Sequence, residues 1–402
     1  MAFNITNLVN AINAKSATVG ADSALDKAVL LASNVKNALI YSSLVDLPTA
    51  DSSNQGDLVR IGASFGADTN YYVSHRDRWN LIGLDDSDVV TEGQVPGFQG
   101  SNYGYTSGGK TGGPSHARTD LIDKFPFASD ANATDVSNLT GTRWDGAGQS
   151  SATHGYVSAG QPNDFERVID KFQFATDGNA TTHGHFSLGA LYSNPNYSAA
   201  GQSSIENGFG YISGGGGWDG KNRIDRFPFA SDFGDGLATD VGDLTVSRRE
   251  PRGQSSTTHG YTSGGRTLPQ YYNVIDKFPF TSGGNASDVG DLTGARTWGA
   301  GQSSTTHGYS AGDYFVPGPA APSNVIDKFP FSSDADATDV GDLSVARGIA
   351  SGQSSTVSGY TSGGYDTGPS NVIDKFPFSS DANATDVSDL TVSRYGSAGQ
   401  QY

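Results

Sequence analysis

Hydrophobic residues in this chain lie in short runs, and one of these runs returns about every 50 residues. In residues 274–280 the order Val-Ile-Asp-Lys-Phe-Pro-Phe alternates between the two faces of an extended segment, with Val274 and Asp276 on one face and Ile275 and Lys277 on the other. Gly, Ser and Thr are dense around the runs, whereas β-branched and aromatic residues cluster inside them. The pattern is typical of short β-strands and disfavours helix within the repeat.

Each repeat predicts four strands, which we name a to d in chain order. Strand a reads Gly-Gln-Ser-Ser, strand b Gly-Tyr-Thr-Ser-Gly-Gly, strand c Val-Ile-Asp-Lys-Phe-Pro-Phe and strand d Ala-Thr-Asp-Val-Gly-Asp-Leu. The six copies begin near Gly97, Gly148, Gly201, Gly253, Gly301 and Gly352. Their spacing of 48 to 53 residues is typical of β-propeller blades and not of helical repeats.

A glycine doublet, a hydrophobic-acidic strand and a late arginine make the repeat similar to a known family. The doublet ends residues 260–265, Val-Ile-Asp-Lys-Phe follows, and an Arg closes the copy, an order that resembles the kelch repeat. The resemblance covers about residues 97–402 and implies a six-bladed kelch-like β-propeller over 96–402. The kelch Trp of the fourth strand is absent, and the doublet becomes Ala159-Gly160 in copy two and Gly312-Asp313 in copy five.

The amino-acid sequence of the repeat is also similar to that of a second group of proteins. Ile-Asp-Lys-Phe-Pro-Phe followed by Asp-Val-Gly-Asp-Leu is similar to repeats in virion proteins of marine phages that infect cyanobacteria. This resemblance implies a structural protein of a virus particle.

The two ends of the repeat region predict how it closes. The C-terminal sequence Ser-Ala-Gly-Gln-Gln-Tyr begins another strand a and is then cut short, whereas copy one begins with the divergent Gly97-Phe98-Gln99-Gly100. We therefore expect Gln400 and Tyr402 to lie in the innermost strand of blade one. Such closure removes free sheet edges.

The first 95 residues lack the repeat, and residues 1–48 predict a helical anchor. A helix is expected over residues 22–43, capped by Asp22 or Ser23. Its apolar positions recur at helical spacing and form a candidate assembly stripe: Leu25, Ala28, Ala32, Val35 and Leu39. The stripe fits a short coiled-coil seam, and it equally fits a helix packed on its own domain.

Residues 49–95 predict a small β module. Strand-like runs occur at residues 58–61, 70–73 and 78–82. The sequence of residues 47–82 resembles a small β module found near the ends of phage appendage proteins. The expected fold class is thus mainly β, with a six-bladed kelch-like propeller behind a small N-terminal helical plus β anchor module.

Charge and composition exclude several classes. Lys plus Arg number 25 against 42 Asp plus Glu, a net charge of −17 that argues against a nucleic-acid partner. The chain has no Cys, which excludes disulfides and a cysteine nucleophile. No apolar run reaches the roughly 20 residues of a membrane span, and no signal peptide is visible at the first residues.

Repeated polar residues favour structural over catalytic roles. His154, His259 and His307 share one position of the repeat, and its spacing around a ring disfavours a common metal site. The Asp-Ala-Asn-Ala-Thr-Asp string of residues 130–135 resembles the alternating oxygens of a calcium loop, but Asx turns explain it as well. Calcium is the one cofactor that the sequence leaves open.

The acid of strand c recurs in all six copies, at Asp123, Asp170, Asp225, Asp276, Asp327 and Asp374. One active site needs asymmetry, so we expect this acid to pair with the arginines between blades. We predict no catalytic residues and no enzyme activity.

One face of the propeller is expected to vary between copies. The b–c loops differ in length and sequence, the d–a loops differ in content, and the c–d loops stay nearly constant. Aromatic residues of the varying face form the candidate binding site: Trp144, Trp218, Tyr271, Tyr272, Trp298, Tyr314, Phe315 and Tyr365. Exposed aromatics on rigid loops suit carbohydrate or protein surfaces.

Together these expectations favour a structural virion appendage, either tail-fibre-type or capsid-attached. The N-terminal module would bind other virion proteins and could form a homo-oligomer, while the propeller loops would contact a host-surface glycan or protein. Two alternatives remain open: a kelch-like enzyme that acts on surface glycans, and a cellular protein–protein interaction scaffold.

Overall fold

The structure is a computed structural model that describes residues 39–41, 58–61, 70–75, 78–82, 99–112, 116–162, 165–186, 197–217, 219–230, 232, 234–315 and 321–402. The chain divides into two compact parts, Met1–Val95 and Pro96–Tyr402. The described residues of both parts form β-strands and turns and contain no α-helix, so none of them offers a helix that could cross a membrane. The fold is mainly β.

The N-terminal part contains one four-stranded sheet in the order β1-β2-β3-β4. Its strands are β1 (Leu39–Tyr41), β2 (Leu58–Ile61), β3 (Asn70–His75) and β4 (Arg78–Ile82). The three strand-like runs predicted from the sequence correspond to β2, β3 and β4. β1 runs parallel to β2, with Leu39 opposite Val59.

The prediction of a helix over residues 22–43 is wrong at its C-terminal end. Leu39 is a strand residue because β1 pairs with β2, and sheet pairing here overrides the helical spacing of the apolar residues. The other stripe residues, Leu25, Ala28, Ala32 and Val35, lie outside the described residues.

The second part is built from the six sequence repeats. Its first strands are β5 (Tyr103–Ser107), β6 (Lys110–Thr111), β7 (Leu121–Pro126), β8 (Thr134–Asn138), β9 (Ala147–Ser150), β10 (His154–Ser158), β11 (Val168–Gln173), β12 (Thr181–Phe186), β13 (Ala200–Ser204), β14 (Phe209–Ser213), β15 (Lys221–Pro228) and β16 (Gly234–Arg248). The strands from repeat 4 onwards are β17 (Arg252–Ser255), β18 (His259–Ser263), β19 (Arg266–Thr267), β20 (Gln270–Tyr271), β21 (Val274–Pro279), β22 (Ser287–Asp291), β23 (Arg296–Thr297), β24 (Ala300–Ser303), β25 (His307–Phe315), β26 (Ala321–Pro330), β27 (Thr338–Asp342), β28 (Ser351–Ser354), β29 (Ser358–Ser362), β30 (Val372–Pro377), β31 (Thr385–Asp389), β32 (Arg394–Tyr395) and β33 (Ala398–Gln401).

Each of repeats 2 to 6 forms four antiparallel strands, as the a-to-d pattern predicts, and repeat 1 forms the last three strands of its sheet. Repeat 4, for example, has the order β17-β18-β21-β22, and repeat 6 has β28-β29-β30-β31. Repeats 2 and 3 are joined into one eight-stranded sheet, because β12 also pairs in parallel with the first residues of β16. In strand c the Ile and the Phe of Ile-Asp-Lys-Phe are both buried, as Ile275 and Phe278 illustrate.

The C-terminal strand belongs to the first repeat, whose sheet order is β33-β5-β7-β8. Gln400 lies opposite Tyr105, and the Tyr402 N–H donates to the Tyr103 carbonyl at 2.8 Å. The innermost strands β9, β13, β17, β24, β28 and β33 contact one another in this order, and β33 contacts β9. The innermost strands of the six repeats therefore form a closed cycle of contacts, which we call the ring.

Glycine in strand a permits the close approach of the innermost strands. A Cβ added to Gly253 would lie 2.1 Å from the Gly201 carbonyl oxygen, and each equivalent glycine meets the glycine carbonyl of the preceding repeat in the same way. The next residue is a buried Gln, such as Gln254, whose Nε2 donates to the Tyr309 carbonyl of the following repeat at 2.9 Å. Close backbone contacts and glutamine hydrogen bonds thus join neighbouring repeats along the axis of the ring.

Aromatic packing fills the space between neighbouring sheets. The Tyr211 ring lies 4.8 Å from the Phe280 ring of the next repeat, and its hydroxyl donates to the Phe280 carbonyl at 2.9 Å. Equivalent tyrosines make the same ring contact in each of the other repeats: Tyr105, Tyr156, Tyr261, Tyr309 and Tyr360.

The expected pairing of the strand-c acid with arginines between repeats is confirmed. Arg248 Nη2 lies 2.8 Å from Asp276 Oδ2, and both side chains are buried. Four further pairs join neighbouring repeats in this way: Arg143–Asp170, Arg296–Asp327, Arg347–Asp374 and Arg394–Asp123. Asp225 differs, because it pairs with Arg223 of its own strand at 2.6 Å.

Candidate functional site

Six equivalent loops surround the axis at one end of the ring, where each repeat passes into the innermost strand of the next. In every loop one residue has a φ between 53° and 66°, the left-handed region. We call these six the mouth residues: Asp145, Ser198, Glu250, Trp298, Ile349 and Gly396. Only one of them is a glycine, so the conformation is imposed on five residues that rarely adopt it.

A closed belt of hydrogen bonds imposes that conformation. The Ser198 N–H donates to the Asp145 carbonyl at 2.9 Å, and the Glu250 N–H donates to the Ser198 carbonyl at 2.7 Å. The same bond continues through Trp298, Ile349 and Gly396, and the Asp145 N–H closes the belt on the Gly396 carbonyl at 2.7 Å. The backbone of the mouth is therefore alike in all six repeats, while its side chains differ completely.

The mouth opens into a small depression on the ring axis, with a volume of about 50 Å³. Residues that line it include Asp145, Ser198, Arg252, Trp298 and Ile349. The Ser198 hydroxyl donates to Asp145 Oδ2 at 2.8 Å and fixes the carboxylate at the rim. The sixfold scaffold thus presents an asymmetric set of groups at one place.

At the other end of the ring axis, Gln99 and Gly100 contact the innermost strands. Gln99 Nε2 donates to the Ser303 carbonyl at 3.1 Å, and the Gly100 N–H donates to the Ser354 carbonyl at 2.8 Å. Ser303 and Ser354 are the last residues of the innermost strands β24 and β28. Residues 99–100 therefore lie against the ends of these strands that are remote from the mouth.

Arg252 is the most unusual group of the depression. The equivalent residues of the other repeats are small: Ala147, Ala200, Ala300, Ser351 and Ala398. Its Nη1 donates to the Pro251 carbonyl at 2.8 Å, but its buried Nε and Nη2 find no hydrogen-bond acceptor among the described residues. Burial lowers the pKa of Arg252 to about 10, although the carboxylates of Asp313, Glu250 and Asp145 oppose this shift.

Two carboxyl groups near Arg252 have strongly raised pKa values. Burial raises the pKa of Asp145 to about 7, against the lowering effect of the Ser198 hydrogen bond. Burial also raises the pKa of Asp313 to about 7, although Arg252 and Arg296 act in the opposite direction. Asp313 occupies the doublet position where most repeats have glycine, and only 1% of its surface is exposed. Both acids therefore carry a proton for much of the time near neutral pH.

Glu250 is the mouth residue that does not line the depression. It is 2% exposed, and its Oε2 lies 2.5 Å from Arg266 Nε. Burial raises the pKa of Glu250, and Arg266 opposes this effect. Arg266 also lies over the Trp298 ring at 4.3 Å, so Glu250 holds a cation against one wall of the mouth.

The aromatic residues predicted as a binding face are only partly brought together. Trp144 and Tyr365 flank Tyr395, at ring-centroid distances of 6.1 and 5.0 Å, and Lys110 Nζ lies 3.4 Å from the centre of the Trp144 ring. On another side of the mouth, Arg266 stands between Trp298 and Tyr271, with its guanidinium 5.6 Å from the Tyr271 ring.

These aromatic side chains are half-buried, not exposed as expected. Trp144, Trp298, Tyr271, Tyr272 and Tyr365 share this intermediate exposure. The cause is that the loops fold over one another, as in the backbone bridges from Trp144 to Gln161 and from Gly348 to Tyr365.

For three further residues of the predicted binding face, the structure describes the backbone alone or nothing. Tyr314 and Phe315 extend β25, where they pair with Thr297 and Arg296, and their side chains lie outside the described ones. Trp218 lies outside the described residues.

Sequence reasoning missed Asp145, Ser198 and Arg252 as members of one site. The signal was present in the repeats themselves, because at the Arg252 position four other copies carry Ala and one carries Ser. An aligned comparison of the copies at each position would have singled out the arginine.

The repeated histidines and the calcium-like strings have structural partners. Thr258 Oγ1 lies 2.8 Å from His259 Nδ1, and His154 and His307 make the same contact with their own preceding Thr. Asn132 Oδ1 accepts the Asp389 N–H at 3.1 Å and so joins repeats 1 and 6. Within the described ranges no group of three or more His, Cys, Asp or Glu residues could hold a metal ion.

Comparison with known proteins gives a point of reference for the fold. No protein-family model matches the chain, and no curated protein matches it. A solved structure titled "Structure of YjhT" is similar to it, with a TM-score of 0.51 and 12% identity over 66% of this chain and 91% of that chain. At this identity the similarity concerns the fold alone.

Proposed function

We propose that residues 96–402 form a six-bladed kelch-like β-propeller whose first blade is completed by the C-terminal strand. Six units of four antiparallel strands, two of them joined in one sheet, the contact of β33 with β9 and the closed belt of mouth hydrogen bonds support this assignment. The repeat sequence, with its glycine doublet and late arginine, supports the kelch-like character.

We further propose that the protein is a structural appendage of a virion that displays the propeller for contact with a host-surface glycan or protein. The observation that carries this proposal is the mouth, where six equivalent backbone positions hold six different side chains around one depression. A scaffold that is constant in its core and varied at one rim is suited to recognition. The resemblance of the repeats to phage virion proteins is the reason for proposing that the protein belongs to a virion.

The N-terminal part is proposed to attach the propeller to other virion proteins, as a monomer or a homo-oligomer. A net charge of −17 disfavours unspecific self-association and nucleic-acid binding, so attachment requires a specific surface. The four-stranded sheet β1–β4 belongs to this part.

We propose that the protein is not an enzyme, because its repeated acids serve structural pairs such as Arg248–Asp276. One observation favours the alternative of an enzyme that acts on glycans: Asp145 and Asp313 combine raised pKa values with a position near Arg252. General acids in glycoside hydrolysis have raised pKa values. Hydrolysis of a surface polysaccharide by the purified chain, abolished by Asp145→Asn, would establish the enzyme.

Particle analysis tests the appendage proposal directly. Antibodies raised against residues 96–402 should label the surface of purified phage particles in electron microscopy and should reduce adsorption of the particles to host cells. Detection of the chain only in cell extracts, and never in purified particles, would favour a cellular interaction scaffold instead.

A further inference from the structure

The joint between repeats 2 and 3 is built differently from the other five joints of the ring. Each of those five carries a buried Arg–Asp pair, whereas Asp225 of repeat 3 pairs with Arg223 of its own strand. At this joint His183 of the outer strand β12 reaches from repeat 2 to repeat 3. The other five repeats carry Val at the equivalent position: Val136, Val241, Val289, Val340 and Val387.

We propose that His183 is a pH-sensitive contact, whose doubly protonated side chain joins repeats 2 and 3 and whose loss of one proton opens this joint at the outer strand. The contact involves no mouth residue, so it is independent of the proposed recognition function.

Both ring nitrogens of His183 lie against oxygen atoms of repeat 3. Nδ1 is 2.7 Å from Asp232 Oδ1, and Nε2 is 2.7 Å from the Pro228 carbonyl oxygen. A carbonyl oxygen only accepts hydrogen bonds, and so does an ionised carboxylate. A neutral imidazole has one N–H and can satisfy only one of these oxygens, whereas an imidazolium donates to both.

Asp232 is ionised, so its carboxyl group does not supply the hydrogen of this contact. Lys171 of repeat 2 also forms an ion pair with Asp232. Hydrogen bonds from Lys171 and His183 lower the pKa of Asp232, and its side chain is 56% exposed to water. The hydrogen between the two side chains is therefore carried by Nδ1 of His183.

Burial makes the contact sensitive to the loss of a proton. The His183 side chain is 0% exposed, and its ring meets the Tyr156 ring edge-on at 5.1 Å, which in turn stacks on Phe229 of repeat 3 at 4.8 Å. A deprotonated nitrogen would place its lone pair against an oxygen atom inside this packing, where water cannot replace the lost hydrogen bond. The adjacent residues 184–186 of β12 pair with β16 of repeat 3, so the strain falls on that pairing.

The titratable side chains of β10 around His183 are neutral near pH 7. Burial raises the pKa of Tyr156. Burial also lowers the pKa of His154, and the positive charges of Lys171 and His183 lower it further. Charged side chains on β11, β15 and β16 have partners of their own: Asp170 with Arg143, Arg226 with the Phe209 ring, and Asp240 with Arg223.

The repeats supply variants that should keep the fold. His183→Val introduces the residue that the other five repeats carry in the outer strand. His259→Ser is the matched control, because repeat 6 carries Ser358 at that position and His259 contacts its own Thr258. Both variants retain Asp313, so its titration affects all chains alike.

Hydrogen exchange of the full chain, followed by mass spectrometry at about pH 5.5 and about pH 9, measures the opening of β12. Each rate is divided by the intrinsic rate at that pH. Protection of β12 in the native chain should fall roughly tenfold or more at the higher pH, relative to β22, the outer strand of repeat 4. His259→Ser should behave like the native chain, and His183→Val should show no such fall.

Nitrogen NMR of the chain labelled at its seven histidines tests the protonation directly. The His183 signals are those that His183→Val lacks. Both ring nitrogens should carry hydrogen at about pH 5.5, although burial alone favours the neutral ring. The proposal is overturned if one of these nitrogens lacks hydrogen at that pH, if β12 and β22 keep the same relative protection at both pH values, or if His183→Val loses protection as the native chain does.

Discussion

At the scale of single residues, the strand-a glycines decide whether the ring can close. Gly253 lies so near the Gly201 carbonyl that a Cβ would stand 2.1 Å from its oxygen. Gly253→Ala should therefore lower the free energy of unfolding by about 1–3 kcal/mol, measured by urea denaturation. Gly368→Ala, where nothing lies within 4 Å of the added Cβ, should leave it nearly unchanged. Equal effects of the two substitutions would contradict this account of the axis.

Asp313 should make the ring less stable as the pH rises. Burial raises its folded-state pKa from 3.8 to about 7, so the folded chain keeps a proton that the unfolded chain has already lost. The contribution of Asp313 to the free energy of unfolding is therefore greatest below about pH 4, and it declines as the pH rises from there through 7.

The variant Asp313→Asn removes this titration. When the pH is raised from 5 to 8, its free energy of unfolding should increase by on the order of 2 kcal/mol relative to that of the native chain. Thermal unfolding at the two pH values measures the difference, with the exposed Asp219→Asn as the control. A native chain and an Asp313→Asn variant with parallel pH profiles would show that Asp313 is ionised throughout.

At the scale of elements, the C-terminal strand should hold the ring together. β33 is the innermost strand of the first sheet, and Gln400 Nε2 donates to the Tyr156 carbonyl of repeat 2 at 3.1 Å. Deletion of residues 398–402 should leave β5 as an open edge and cause loss of the cooperative thermal transition, monitored by circular dichroism. The control Gln401→Ser introduces the serine that stands at this position in the other inner strands and should fold normally. A truncated chain with the native midpoint would refute closure by β33.

Element by element, the sequence predicted strands better than loops or the N-terminal helix. The a-to-d pattern worked because alternating side chains and glycine positions are local properties of each copy. The helix prediction failed at Leu39, where pairing with β2 outweighs helical spacing. The left-handed mouth residues could not be foreseen, since their φ values are set by hydrogen bonds between different repeats, as from Ser198 to Asp145.

At the scale of the whole molecule, we predict that assembly resides in the first 95 residues. Since β1 pairs with β2, a cut after residue 47 would divide the N-terminal sheet, and a cut after residue 95 is cleaner. Residues 96–402 should remain folded and monomeric in analytical ultracentrifugation, whereas the full chain should form an oligomer or join its particle. Oligomers of the same size from both chains would place assembly in residues 96–402.

The candidate site follows from the same whole-molecule symmetry. The sixfold repeat made the Arg–Asp pairs predictable, but it concealed the depression, because Arg252 is visible only as a departure from five small residues. The aromatic pattern predicted Trp298 as a site residue but not the other mouth residues. The belt of hydrogen bonds that brings the mouth residues together is a property of the closed ring and not of any one repeat.

Our central claim is that a constant ring presents an asymmetric mouth for recognition. A triple variant, Asp145→Ser, Arg252→Ala and Trp298→Ile, uses only residues that other repeats carry at the same positions. Binding of the native chain and of this variant to one array of surface glycans and proteins is the most direct test. We predict that the native chain binds at least one array member and that the variant, with an unchanged unfolding midpoint, loses this binding. Equal binding by the two chains, or no binding by the native chain, would contradict the claim.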